Sequence, residues 1–125
     1  MNHLNGRKII GVRMSANKTT LSFDTDNGTV CYVAEGDCCS ESWFNHVSGL
    51  LFLIGSTIER VETLTTRGAP GTRQEEDTVY GWQIQSNRGT CAIEMRNSSN
   101  GCYGGSVQLD MSANGAATIP LTDDF

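Results

Sequence analysis

Two short polar segments hold most of the residues that could do chemistry. The first is Asp37-Cys38-Cys39-Ser40-Glu41-Ser42-Trp43. At the start of a helix it would offer free backbone N–H groups to an anion and lower a thiol pKa. The same residues also fit a plain helix cap, with the cysteines packed as small apolar groups. The second segment is Asn97-Ser98-Ser99-Asn100-Gly101-Cys102-Tyr103-Gly104-Gly105. Its small amides, hydroxyls and glycines would let backbone approach a ligand, with Tyr103 as a stacking ring; they equally suit a hairpin loop whose side chains cap their own backbone. Tyr80 and Trp82 with Arg96 would make a stacking platform, or the aromatics belong to the core.

Metal and nucleophile chemistry find little support. Asp37, Cys38, Cys39, His46 and Cys102 are of ligating types, but the chain has no C-x2-C or H-x3-H pair, and adjacent cysteines serve one tetrahedral ion poorly. On a single helix Cys39 and His46 are about 10 Å apart along the axis, well beyond the ~3 Å that general-base activation needs. No catalytic residue, metal or cofactor is assigned. The predicted ligand-binding set is Asp37, Ser40, Glu41, Trp43, Arg96, Asn100 and Tyr103, on the expectation that the two polar segments meet at one rim of the fold.

The elements that would position them read as follows. Residues 8–14 alternate, with Ile10, Val12 and Met14 on one face; 19–24 alternate through Leu21 and Phe23. Asp26-Asn27-Gly28 signals a tight hairpin. Residues 29–34 are apolar on both faces, as in a central strand. After Gly36 the period changes: Trp43, Phe44, Val47, Leu50, Leu51 and Ile54 recur at three and four, the stripe of a helix bent or broken near Gly49. Strands return at 57–64, where a slip between Ile58 and Val61 implies a bulge, then at 78–85, 90–96 and 106–111. Residues 68–76 read as a mobile loop, and Thr118-Ile119-Pro120-Leu121 as an edge segment. The expected fold is a single α+β domain over 1–125. Its mainly antiparallel sheet has six to seven strands, with one bent helix or two short helices on one face; 112–125 is an expected frayed tail.

The chain's 125 residues suit one domain. Nine basic against 14 acidic residues give a net charge of -5, which excludes a nucleic-acid-backbone binder or a polybasic membrane binder. No apolar run approaches the ~20 residues of a membrane span. Five cysteines, an odd number, with no apolar leader after Met1 imply reduced thiols and a cytoplasmic setting.

Asp37-Cys38-Cys39-Ser40-Glu41, Leu53-Ile54-Gly55-Ser56-Thr57-Ile58 and Ser99-Asn100-Gly101-Cys102-Tyr103-Gly104-Gly105 together resemble a family of small proteins found mainly in tailed phages and also in bacteria. In that family Glu directly follows the cysteine pair, where this chain has Ser40 between, and two aromatics follow Asn-Gly, where this chain has Cys102 first. The resemblance implies a phage origin and the cytoplasm of an infected host, and carries no activity with it.

Three functions remain open. One is a phage accessory protein, of counter-defence type, that sequesters a small polar or nucleotide-like ligand or a host protein without catalysis. The second is a small hydrolase of phosphoesters or nucleotides using cysteine or carboxylate. The third is a structural or assembly module. Sheets built from hairpins leave edges, so a homo-oligomer is expected.

Overall fold

The structure, a computed structural model, describes residues 1–36, 39–100, 105–110 and 118–125. Its strands are β1 (Ile9–Ser15), β2 (Thr20–Thr25), β3 (Gly28–Gly36), β4 (Glu41–Ser48), β5 (Ile58–Pro70), β6 (Glu76–Ser86), β7 (Gly89–Ser99), β8 (Gly105–Asp110) and β9 (Thr118–Pro120). Helix is confined to a 3-10 turn at Asn2–Leu4 and one α-turn, α1, at Leu50–Leu53 among the described residues. The strands form two antiparallel sheets, ordered β8-β3-β2-β1-β9 and β4-β7-β6-β5. One core draws on both. Val12, Met14, Leu21, Phe23, Val30 and Tyr32 come from the first sheet, and Phe44, Val47, Ile84, Cys91, Ile93 and Met95 from the second. This is a two-sheet sandwich, not the α+β fold that the sequence pattern predicts.

The predicted helix fails because a β-bulge imitates its spacing. The β4–β7 register shifts between Phe44 and His46. The extra residue turns a period of two into a step of three, so Phe44 and Val47 both point into the core, at 0% and 1% exposure. Leu50 and Leu53 are buried on the single turn of α1, but Leu51, also expected in the core, is 72% exposed. Gly49 makes the corner. Its φ of 84° suits glycine, and a Cβ there would drive into the backbone of Thr90 and Cys91. The same device corrects β1. A shift between Ile9 and Gly11 buries Ile9 and leaves Ile10 61% exposed.

Other expectations are met. Residues 26–27 form the tight turn of the β2–β3 hairpin, with Gly28 at φ 96°. The β5–β6 register shifts between Ile58 and Arg60, where the sequence pattern slips. The end of the chain, for which fraying is expected, makes specific bonds. The Phe125 N–H donates to Val47 O and its C=O accepts from the Val47 N–H, both at 2.9 Å, while the Asp124 carboxylate accepts the N–H groups of Gly49 and Leu50.

Candidate functional site

Alternation and register place four rows of side chains on the outer face of the β4-β7-β6-β5 sheet, the face turned away from the core. They are Glu62–Gln83–Ala92–Ser48, then Leu64–Gly81–Glu94–His46, then Thr66–Val79–Arg96–Trp43, then Asp77–Ser98–Glu41.

At one end of this face lies a buried charge network. Asp77 is fully buried. It accepts from the Thr72 hydroxyl at 2.8 Å, the Thr72 N–H at 3.2 Å and Arg96 Nη1 at 3.0 Å. Burial alone would push its carboxyl up, but hydrogen bonds from Ser98, Thr72 and Arg96 outweigh that and hold its pKa below the usual value. Arg96 in turn is held protonated, by hydrogen bonds to Asp77 first and to Glu94 second. Glu94 Oε2 accepts from Arg96 Nε at 3.1 Å and from Asn45 Nδ2 at 2.8 Å, and Asn45 Oδ1 accepts from Trp43 Nε1 at 3.0 Å. The bulge residue Asn45 therefore ties Trp43 to Glu94.

The segment 71–75 between β5 and β6 folds back over this end. Ser98 Oγ accepts the N–H groups of Arg73 and Gln74. Arg73 lies 3.7 Å over the Trp43 ring and pairs with Glu41 at 3.6 Å. The loop expected to be mobile hydrogen-bonds to both Asp77 and Ser98.

Beyond the network the face hollows into an open groove of about 500 Å³. Leu64, Val79 and Ala92 give it an apolar floor, while Glu62, Glu94, Gln83 and His46 supply polar groups. Gly81 makes the hollow, because it is the position between Leu64 and Glu94 that has no side chain. Its Cβ would meet only the Leu64 carbonyl, at 3.6 Å. A comparable concavity of about 520 Å³ lies beside Leu51, Arg88 and Asp123.

The predicted site residues divide between the two faces. Glu41, Trp43 and Arg96 lie on the outer face, in or beside the charge network. Ser40 lies at the opposite face, where the buried Asn97 amide donates to Ser40 Oγ at 3.0 Å and Ser42 Oγ at 2.8 Å. Asn100 follows β7 and is exposed. Asp37 and Tyr103 are outside the described residues. The two polar segments do come together, through pairing of β4 with β7 and not at a helix start: Glu41 is opposite Ser98 and Ser42 opposite Asn97. Asn97, Ser98 and Ser99, expected in a loop, are buried strand residues. Gly105 closes the cluster, since a Cβ there would strike Ser42 Oγ and Asn97. Tyr80 and Trp82 share the inner face, so they make no platform with Arg96.

The sequence reading missed Asp77, Arg73, Asn45 and the groove itself. A glycine in the interior of a strand, as at Gly81, is the signal that could have marked the groove, because such glycines often mark close approach of a ligand or backbone. Among the described residues no cluster of histidine, cysteine, aspartate or glutamate could hold a metal ion. Cys91 is buried, which raises its thiol pKa to about 12, with Asp124 adding to the effect. Among the described residues no helix is long and apolar enough to cross a membrane.

Residues 2–109 match the family described as Domain of unknown function (DUF7448). The chain belongs to that family. It is also similar to Uncharacterized protein L278 of Acanthamoeba polyphaga mimivirus, 32% identical over 90 residues, which covers 69% of this chain and 71% of that protein. The DUF7448 chain thus has a viral relative. No solved structure matches it.

Proposed function

We propose that this DUF7448 protein is a non-catalytic accessory binding protein of phage or viral type, and that it holds its ligand in the outer-face groove. The observation that carries the reading is the combination of an apolar floor with an acidic rim, Leu64, Val79 and Ala92 beneath Glu62 and Glu94. Such a lining favours a molecule with an apolar or planar body and an amine or other nitrogen donor. Glu94 spends Oε2 on Arg96 and Asn45, which leaves Oε1 without a partner among the described residues. The charge network thereby fixes the carboxylate that would accept from the ligand.

The lining revises the expected nucleotide-like ligand. Arg96, the nearest cation, is already committed to Asp77 and Glu94, and no other basic side chain apart from His46 lines the groove. A base-like ring fits this chemistry; a phosphate does not, because it would face carboxylates without neutralisation. The hydrolase reading needs Cys38 or Cys39, or Asp37 or Glu41; of these Glu41 pairs with Arg73 and Cys39 is exposed, while Asp37 and Cys38 lie outside the described residues. The test is to heat-denature protein purified from its native host and weigh what is released. Recovery of an intact nitrogenous compound supports the proposal. Release of a reaction product after incubation with that compound refutes it.

A further inference from the structure

Strand β5 ends its sheet. Its two register shifts, at Ile58/Arg60 and Thr66/Ala69, bracket a straight run of Arg60–Thr66. From Glu59 to Gly68 every residue is exposed except the half-buried Val61. Ile58 is the last residue to use its outer side. Its N–H donates to Arg7 O at 2.9 Å, and its C=O accepts from the Gly6 N–H at 2.8 Å. Beyond it, β5 makes no backbone hydrogen bond except to β6 among the described residues. Natural sheets blunt such edges with charged side chains (lysine above all), proline, bulges or brevity. β5 has two register shifts and charges at Glu59, Arg60, Glu62 and Arg67, but the run 63–66 between them carries none. β5 is 13 residues long, contains no lysine, and has its proline only at the last position.

We infer that β5 pairs antiparallel with β5 of a second copy of this chain, about a two-fold axis at Thr63. The two four-stranded sheets then form one continuous sheet. Symmetry restricts the register. An axis normal to a continuous sheet brings like faces together, so it must pass at a residue and not between two. At Thr63 it uses the whole straight run, and it sets Arg60 opposite Thr66, Val61 opposite Thr65 and Glu62 opposite Leu64. No like charges meet directly. Moving the axis to Glu62 opposes two carboxylates, which destabilises a cross-strand pair. Moving it to Leu64 shortens the straight pairing to residues 62–66 and brings Val61 against Arg67 at the bulge.

The pairing also bears on the groove. Glu62, Leu64 and Thr66 line it from β5. In the dimer the partner's Leu64 stands beside Glu62 on that same face, so each groove gains an apolar wall from the other copy. Leu64, 72% exposed in one chain, then has a covering neighbour. The pairing rests on the free edge and its register, so it stands or falls apart from the ligand proposal.

Light scattering on the full chain without ligand tests it. The expected mass at tens of micromolar is twice the 13.5 kDa of one chain. Thr63→Glu places two carboxylates at the axis and should raise the dissociation constant at least tenfold, with an unchanged circular dichroism spectrum showing that the fold persists. Thr63→Cys under mild oxidation should give a 63–63 crosslink by peptide mapping, whereas Thr29→Cys on the other sheet should not. A one-chain mass, a dimer indifferent to Thr63→Glu, or crosslinking of Leu64→Cys in place of Thr63→Cys would each overturn the inference.

Discussion

Replacing Gly81 by valine separates the groove from the fold. Gly81 sits inside β6, between Leu64 on β5 and Glu94 on β7. A Cβ there meets only the Leu64 carbonyl at 3.6 Å, an ordinary contact, and the position has no positive φ. A β-carbon is therefore accommodated, and valine's gain in strand propensity over glycine is worth up to about 1 kcal/mol. For a chain of this size that raises Tm by about 4 °C. The same methyl groups occupy the floor of a groove of about 500 Å³. A ligand seated there should weaken at least tenfold, about 1.4 kcal/mol. Differential scanning calorimetry measures the first effect and isothermal titration the second. A variant that melts several degrees lower would show that Gly81 meets a close neighbour. A more stable variant with undiminished binding would remove the groove from consideration.

Asp77→Asn takes the carboxylate from Arg96 in a buried site and should cost about 3 kcal/mol in urea unfolding. Because the folded pKa of Asp77 lies below its ordinary 3.8, the group adds stability above that value and loses it as pH falls through the lower folded value. The gap between wild type and Asp77→Asn should therefore narrow as pH falls below the ordinary value of 3.8; a gap that widens on acidification contradicts the assigned hydrogen bonds. Leu53→Ala should cost about 2–5 kcal/mol because Leu53 is fully buried, while Leu51→Ala should stay within about 0.5 kcal/mol; equal losses would return Leu51 to the core. A maleimide added to native protein should label the exposed Cys39 and spare the buried Cys31 and Cys91 until denaturant is added; rapid labelling of Cys91 would mean that its strand opens readily.

The strands of the first sheet were legible because hydrophobic alternation and the turn at Asn27-Gly28 agree. β4 was not. Phe44 and Val47 are three apart for a reason that periodicity cannot distinguish from a helical turn, since the bulge at Asn45 adds one residue to a strand. Ile9 and Ile10 exchange faces by the same mechanism. Once β4 is a strand, its pairing with β7 makes a sandwich, and the helix layer has no place. The two polar segments were expected to meet because a helix start and a turn would share a rim; their described parts meet through strand pairing instead, as Ser42 does with Asn97. Asp77 escaped notice because it falls between the polar loop expected at 68–76 and the strand expected at 78–85. Its burial follows from Thr72, five residues before it, and from Ser98 opposite it on β7, and hydrophobic periodicity marks neither.

The most direct test of the groove is an amide chemical-shift titration with two probes of one shape and opposite charge, tryptamine and indole-3-propionate. Binding of so small a probe is expected in the millimolar range, about 4 kcal/mol. Tryptamine should shift the amides of Gly81, Gln83 and Glu94 and leave β1, β2 and β3 unmoved, while indole-3-propionate should shift none of them. Shifts with the carboxylate alone, or shifts confined to the concavity at Leu51 and Arg88, would contradict the account.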